Sequence, residues 1–217
     1  MKPSLKLHSI AFGLATAIVF SLWTLLTKLT QLDPILKILL GGLVSLGLYR
    51  LIATFIVYLT KKSSWIKKKF LGQYYLEGTW VGFYIGVSGK ERFIVERFEQ
   101  DVDTLAIRGK SLNELSQYHS TWNTSSVYID TLHAKISYMY DVTNIHDKSN
   151  NNGIAIFNIE RDDQYSEAKG LTGFSADLHL GKRIKAMEIK ISDKCNYDEN
   201  LAFEKAKELY QNKKDSF

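Results

Sequence analysis

Cysteine is almost missing from this sequence, and with it the usual means of stapling a small fold. Cys195 stands alone among 217 residues, so no intramolecular disulfide is possible and a reducing, cytosolic setting is expected. Enzyme signatures are missing too. The histidines His8, His119, His133, His146 and His179 fall in no His-Glu-x-x-His or paired Cys/His spacing, so no metal site is expected. Neither a Gly-x-Ser-x-Gly elbow nor a phosphate-binding loop occurs. Glu96 and Glu99 flank Arg97 and read as solvated charges rather than an acid–base pair. The expectation is a non-enzyme without a bound cofactor.

Acidic residues are scarce at one end only. Residues 1–60 hold five Lys/Arg against one Asp, 61–69 hold five Lys and no acid, and 70–217 hold 18 basic against 22 acidic residues. The net charge of +5 is therefore a property of the N-terminal third. The remainder is slightly acidic, which argues against DNA or RNA polymers as partners.

The same third carries the long apolar runs. Ser9 to Thr27 gives 19 residues without a charge, enough to cross a bilayer as a helix. A signal peptide would have a shorter apolar region and a small-residue cleavage site, which is not evident before Lys28. Lys28 to Pro34 reads as a turn, and a second run follows from Ile35 to Leu59. The expected unit is a membrane hairpin over 1–69 with helices at about 9–27 and 35–59. The lysines at 61, 62 and 67–69 place its ends, and the rest of the chain, in the cytoplasm. Arg50 interrupts the second run near its middle, where a charge is expensive and points to function or to snorkelling. Gly41, Gly42, Ser45 and Gly47 form a small-residue face suited to close helix contact.

After a short linker, Lys67 to Gln73, the pattern changes to runs of Val, Ile, Phe and Tyr cut by glycine and polar clusters. Eight strands are expected at about 79–87, 91–99, 103–109, 121–130, 133–141, 153–160, 170–177 and 183–191. Asp147 to Gly153 reads as a loop, and Gly181-Lys182 as a hairpin turn. No helical pattern lies between strands, so the fold expected for 70–217 is all-β: an eight-stranded antiparallel up-and-down barrel, lipocalin-like, with a two-sheet sandwich as the alternative. A C-terminal helix is expected over 198–211 with Asp198 as its cap, followed by a loose tail.

Strand alternation then selects candidate residues. Trp80, Gly82 and Tyr84 share one face; so do Trp122, Thr124, Ser126 and Tyr128, and so do Ile136, Tyr138 and Tyr140. Aromatic rings mixed with hydroxyls suit a planar polar ligand by stacking, and strand arginines suit phosphate. The ligand-binding candidates are Tyr84, Arg97, Arg108, Trp122, Tyr138, Tyr140 and Thr172. Trp80 is expected to plug one barrel end, with Arg183 across it.

The order of parts resembles a bacterial family. A two-helix membrane hairpin and a lysine patch precede Gly78-Thr79-Trp80-Val81-Gly82-Phe83-Tyr84, with Tyr138-Met139-Tyr140 and Gly170-Leu171-Thr172-Gly173-Phe174 further on. This is similar to the two-transmembrane, β-strand-rich effectors of cyclic-oligonucleotide-based antiphage signalling systems (CBASS). The resemblance implies a cytosolic barrel that binds a cyclic dinucleotide made by a partner nucleotidyltransferase. It further implies homo-oligomerisation and disruption of the bacterial inner membrane. The ligand residues named above rest on strand parity, not on the resemblance. Rival readings are a membrane-anchored carrier or sensor of a lipid or apolar metabolite, favoured by an apolar lining without arginine, and a protein-binding scaffold, favoured by a filled barrel.

Overall fold

A computed structural model describes residues 2–29, 33–145, 150–163, 166–178 and 181–217. The middle of the expected Lys28–Pro34 turn, the first part of the Asp147–Gly153 loop, His146 and His179 lie outside the described residues. The chain divides into two units, Met1–Leu71 and Gly72–Phe217.

The first unit is helical. α1 (Pro3–Leu29) and α2 (Pro34–Lys62) are the two long apolar helices, each exceeding the roughly 20 residues a bilayer requires. Asp33 caps α2 by accepting from the Ile35 amide at 2.8 Å, and Pro34 takes the first helical position, where its missing N–H is not needed. The small-residue face is divided: a Cβ at Gly41 would lie 2.8 Å from the Trp23 ring of α1, whereas Gly42 and Gly47 meet nothing within 4 Å. Arg50 is exposed on α2, and no hydrogen bond or ion pair joins it to another described residue. The lysine-rich flank is not an extended linker. It forms a short helix, α3 (Ser64–Leu71), because Ser63 breaks α2 and its side chain receives the Ile66 amide at 3.4 Å.

The second unit is a closed barrel of eight antiparallel strands in sequence order. These are β1 (Gly78–Ile85), β2 (Glu91–Gln100), β3 (Leu105–Leu112), β4 (Tyr118–Asp130), β5 (Lys135–Asn144), β6 (Asn150–Glu160), β7 (Gly170–Asp177) and β8 (Arg183–Ser192). β1 pairs with β2 on one side and β8 on the other, which closes the sheet and removes its edges. One barrel end is packed. Trp80, Phe98, Ile107, Ile136, Phe157 and Leu171 fill it, all essentially inaccessible. The Trp80 indole donates to the Leu76 carbonyl at 2.9 Å and packs in a tilted arrangement against Phe98, with ring centroids 5.2 Å apart. Gln100 ties the incoming segment across this end, donating to the Tyr74 carbonyl at 2.6 Å and accepting from the Leu76 amide at 2.8 Å.

β1 and β2 carry buried apolar residues on both faces because each borders two cores. Their outward Val81, Phe83, Phe93 and Val95 pack beneath α4 (Glu199–Lys213), through Ala202, Phe203, Ala206 and Leu209. Asp198 caps α4, accepting from the Leu201 amide at 2.9 Å. The tail is not loose: the Phe217 ring lies 4.7 Å from that of Phe83, and Lys185 Nζ donates to the Phe217 carbonyl at 2.8 Å.

Trp80→Ala removes the largest fully buried side chain of the packed end. It should lower barrel stability by about 3–5 kcal/mol, read as a shift of the urea midpoint. Tyr84→Ala, at the half-buried other end of the same strand, should shift it far less; equal shifts would contradict this division.

Candidate functional site

The barrel end opposite Trp80 is open. A cavity of about 370 Å³ occupies it, lined by residues that include Tyr84, Glu96, Trp122, Tyr138, Tyr140 and Glu188. That volume sits at the lower edge of ligand pockets, roughly 300–1,000 Å³. It admits one planar ring system with its substituent.

Cross-strand glycines make the space. Gly109 pairs directly with Trp122, and Gly153 with Tyr140. A Cβ at Gly109 would lie 2.0 Å from the Trp122 ring, and one at Gly153 would lie 2.2 Å from Tyr140 Cζ. Each glycine lets a ring lie flat across its strand instead of projecting into the lumen. Gly82 does the same for a carboxylate: it pairs with Glu188, whose Cγ would lie 2.6 Å from an added Cβ.

At the cavity floor are two carboxyls, Glu96 of β2 and Glu188 of β8, each only 1% exposed. Trp122 Nε1 donates to Glu96 Oε1 at 2.6 Å, and the Tyr138 hydroxyl donates to the same oxygen at 3.3 Å. Glu96 Oε2 and Glu188 Oε2 receive no hydrogen bond from any described residue. Burial pushes the Glu188 carboxyl well above the usual range, and the facing Glu96 carboxyl pushes it further. Burial also raises Glu96, while the bonds from Trp122, Glu188 and Tyr138 pull against it. Two carboxylates side by side in a desolvated site cannot both ionise, so they share a proton.

Around them burial raises the phenols. Tyr138 is pushed well up, chiefly by burial and then by Glu96 and Glu188. Tyr140 is pushed up to about 12, first by burial. Tyr84 is raised by burial, partly offset by the Ser111 hydroxyl and the Arg92 charge. All three are neutral donors at physiological pH.

The sequence-selected residues divide cleanly. Tyr84, Trp122, Tyr138 and Tyr140 line the cavity. Arg97, Arg108 and Thr172 do not. Arg97 lies outside the barrel, 3.4 Å from Glu199, and Arg108 lies 3.5 Å from Glu99. Thr172 Oγ1 donates to Glu160 at 2.8 Å on the outer face of β7. Glu199, at the start of α4, gathers Arg97, Lys110 at 2.8 Å and the Tyr118 hydroxyl at 2.5 Å, so these outer charges clasp α4 onto the sheet. Arg183 covers Phe174 at 4.6 Å and not Trp80, because it projects outward from the start of β8. The expected face Trp122–Thr124–Ser126–Tyr128 is broken by a β-bulge between Thr124 and Ser126. Beyond it Val127 and Ile129 turn to the core, and Tyr128 is 60% exposed.

Glu96, expected to be solvated, is the most consequential correction. Parity puts it on the face of Ile94 and Phe98, but Phe93 and Val95 are buried on the other, so only its pairing with Trp80 in the closed barrel shows that face to be the lumen. Arg92, two residues beyond Ile94 on the same face, pairs with Tyr84 toward the open end.

No family model matches this chain, and no curated protein matches it. Among solved structures it is similar to a de novo designed fluorescence-activating β-barrel, at TM-score 0.34 and 13% identity over 54% of this chain and 93% of that one. That likeness is too slight to bear on function. Among the described residues no group of three or more His, Cys, Asp or Glu is arranged to hold a metal.

A raised carboxyl pKa stabilises the fold only while the group keeps its proton. The contribution of Glu188 is full below the unfolded carboxylate pKa, about 4.3, and is lost as pH rises through the raised folded value. Denaturant midpoints should therefore fall with rising pH above about 5 in the native protein. Glu188→Gln, which keeps a donor toward Glu96 without titrating, should flatten that decline; an unchanged slope would refute the shared proton.

Proposed function

We propose that this protein is a membrane-anchored sensor whose barrel cavity receives a small ligand and whose two long helices respond to it. The observation that carries the reading is the open cavity, with four rings, those of Trp122, Tyr138, Tyr140 and Tyr84, converging around one ring-sized space. A barrel serving only as a scaffold has no need to hold that space open with glycines. The two helices supply the means of reaching a membrane, and the surplus of lysine flanking them favours a cytoplasmic barrel and cytoplasmic termini.

Within that reading we propose the antiphage effector role: a cyclic dinucleotide from a partner nucleotidyltransferase binds the barrel, drives self-association, and the associated helices disrupt the bacterial inner membrane. A base fits the cavity; a whole cyclic dinucleotide does not. The lining includes no Lys or Arg, so the phosphates belong at the mouth, where Arg92 stands beside Tyr84. Ligand must bind the associated state more tightly than the resting one, since equal affinity shifts nothing. Arg50 fits the output end of this scheme: an exposed guanidinium in mid-helix is tolerated by snorkelling at rest and faces a hydrated path once helices assemble.

A lining without Lys or Arg also favours a second reading, a carrier or sensor of a neutral or cationic metabolite. The mixed polar lining, with Asn144, Asn151 and Ser175 beside the rings, fits this better than a purely apolar ligand.

The full-length chain in detergent, challenged with a panel of cyclic dinucleotides, separates the two. A true ligand at about 100 times its Kd stabilises by about 2.7 kcal/mol, seen as a rise in unfolding temperature; no rise with any member would remove the nucleotide reading. In dye-loaded liposomes, Arg50→Leu should bind the same ligand yet abolish leakage. Leakage equal to the native protein's would take Arg50 out of the mechanism.

A further inference from the structure

The cavity's shape admits many planar ligands, but its floor does not. Glu96 and Glu188 come from strands that do not pair with each other, β2 and β8, and meet across the width of β1 at Gly82 and Trp80. Each is 1% exposed, and each leaves Oε2 without a donor from any described residue. A buried carboxylate is normally matched by a cation or by several N–H groups. Here the lining offers Glu96 one indole N–H and one hydroxyl, both on Oε1. One shared proton between the two carboxyls settles part of the deficit, but it is spent on the pair itself. What remains at the floor is acceptor oxygen, with Asp177 adding a further carboxyl and His119 an imidazole to the lining and no Lys or Arg present in it. The missing partner is a donor, and it must be flat enough to pass between Trp122, Tyr140 and Phe157.

We propose that Glu96 and Glu188 form the recognition floor of the cavity and take the edge of a planar ring presenting two adjacent N–H donors, as guanine does with N1–H and its exocyclic amine. The proposal rests on the ligand-binding reading of the cavity. Trp122 and Tyr138 act as positioning residues: by holding Glu96 Oε1 they fix the plane of the carboxyl. Adenine presents a ring nitrogen acceptor next to its amine and sets a lone pair against carboxylate oxygen. A site built on acceptors rejects such a partner strongly, because both sides are left unpaired. Phosphate has no place at this depth, so discrimination resides in the base, and the backbone of a nucleotide ligand contributes only at the mouth.

The test uses the full-length protein in detergent and four probes: guanosine, adenosine, cyclic di-GMP and cyclic di-AMP, titrated by intrinsic fluorescence and by equilibrium dialysis. The expected result is guanine-bearing probes binding at least about tenfold more tightly than their adenine counterparts, with Glu96→Gln losing that preference. Glu188→Gln, in which an amide N–H replaces the shared proton, is the companion variant. The native guanine-to-adenine ratio needs neither variant to fold. Guanosine preferred over adenosine, with no binding of either cyclic dinucleotide, upholds the carboxyl floor and overturns the cyclic-dinucleotide reading. Equal binding of both cyclic dinucleotides upholds that reading and overturns the carboxyl floor. Failure of both guanine probes, whatever else binds, overturns the floor as well.

Discussion

The pairing of β1 with β8 is the contact on which the rest depends. An up-and-down sheet of eight strands has two free edges until its first and last strands meet, and only then does one face become an interior. Closure brings Glu188 of the last strand beside Gly82 of the first, and so within reach of Glu96 one strand further on. It also gives the inward rings of β4 and β5 something to face. The outer surface of the same first strands is then sealed by α4 and the Phe217 tail, with Glu199 gathering the cations outside.

The interior that results is graded along its axis. At the Trp80 end, aliphatic and aromatic side chains fill the lumen, which supplies the burial needed to keep the barrel closed. At the other end, three glycines replace side chains, and the space they release is taken partly by flattened rings and partly by the cavity. Two carboxyls sit at the boundary. A barrel selected for stability alone would place apolar groups there, since a buried carboxyl pair with two oxygens left without donors is a net liability. Positions where local rules are broken without compensation inside the protein are where function is expected. That is the physical weight behind reading the floor as a recognition surface.

Electrostatics reorders the arginines expected to bind phosphate. Arg97 and Arg108 occupy odd and even positions on neighbouring strands, yet both end outside the lumen, because β2 presents its even residues inward whereas β3 presents its odd ones. Their partners are the carboxylates Glu199 and Glu99. A cation that is already paired on the outer face contributes to docking α4, not to a ligand on the other side of the sheet. Any anionic part of a ligand is thereby confined to the mouth.

Much of this was legible in residue order alone. The apolar runs and lysine flanks announced two long helices, and the spacing of Val, Ile, Phe and Tyr runs between glycine clusters announced eight strands and a capped terminal helix. Those features are local, set by periodicity and turn chemistry over a few residues, so they survive without knowledge of the fold. Strand parity grouped Tyr84, Trp122, Tyr138 and Tyr140, and these four line the cavity. It failed at Ser126 and Tyr128, where a bulge inserts one residue and reverses the faces. It failed for Arg97, Arg108 and Thr172 because alternation defines two faces of a strand but does not say which is inside. Only closure decides that, by register across strands far apart in sequence, and only closure puts Glu96 and Glu188, 92 positions apart in the chain, against each other in one desolvated space.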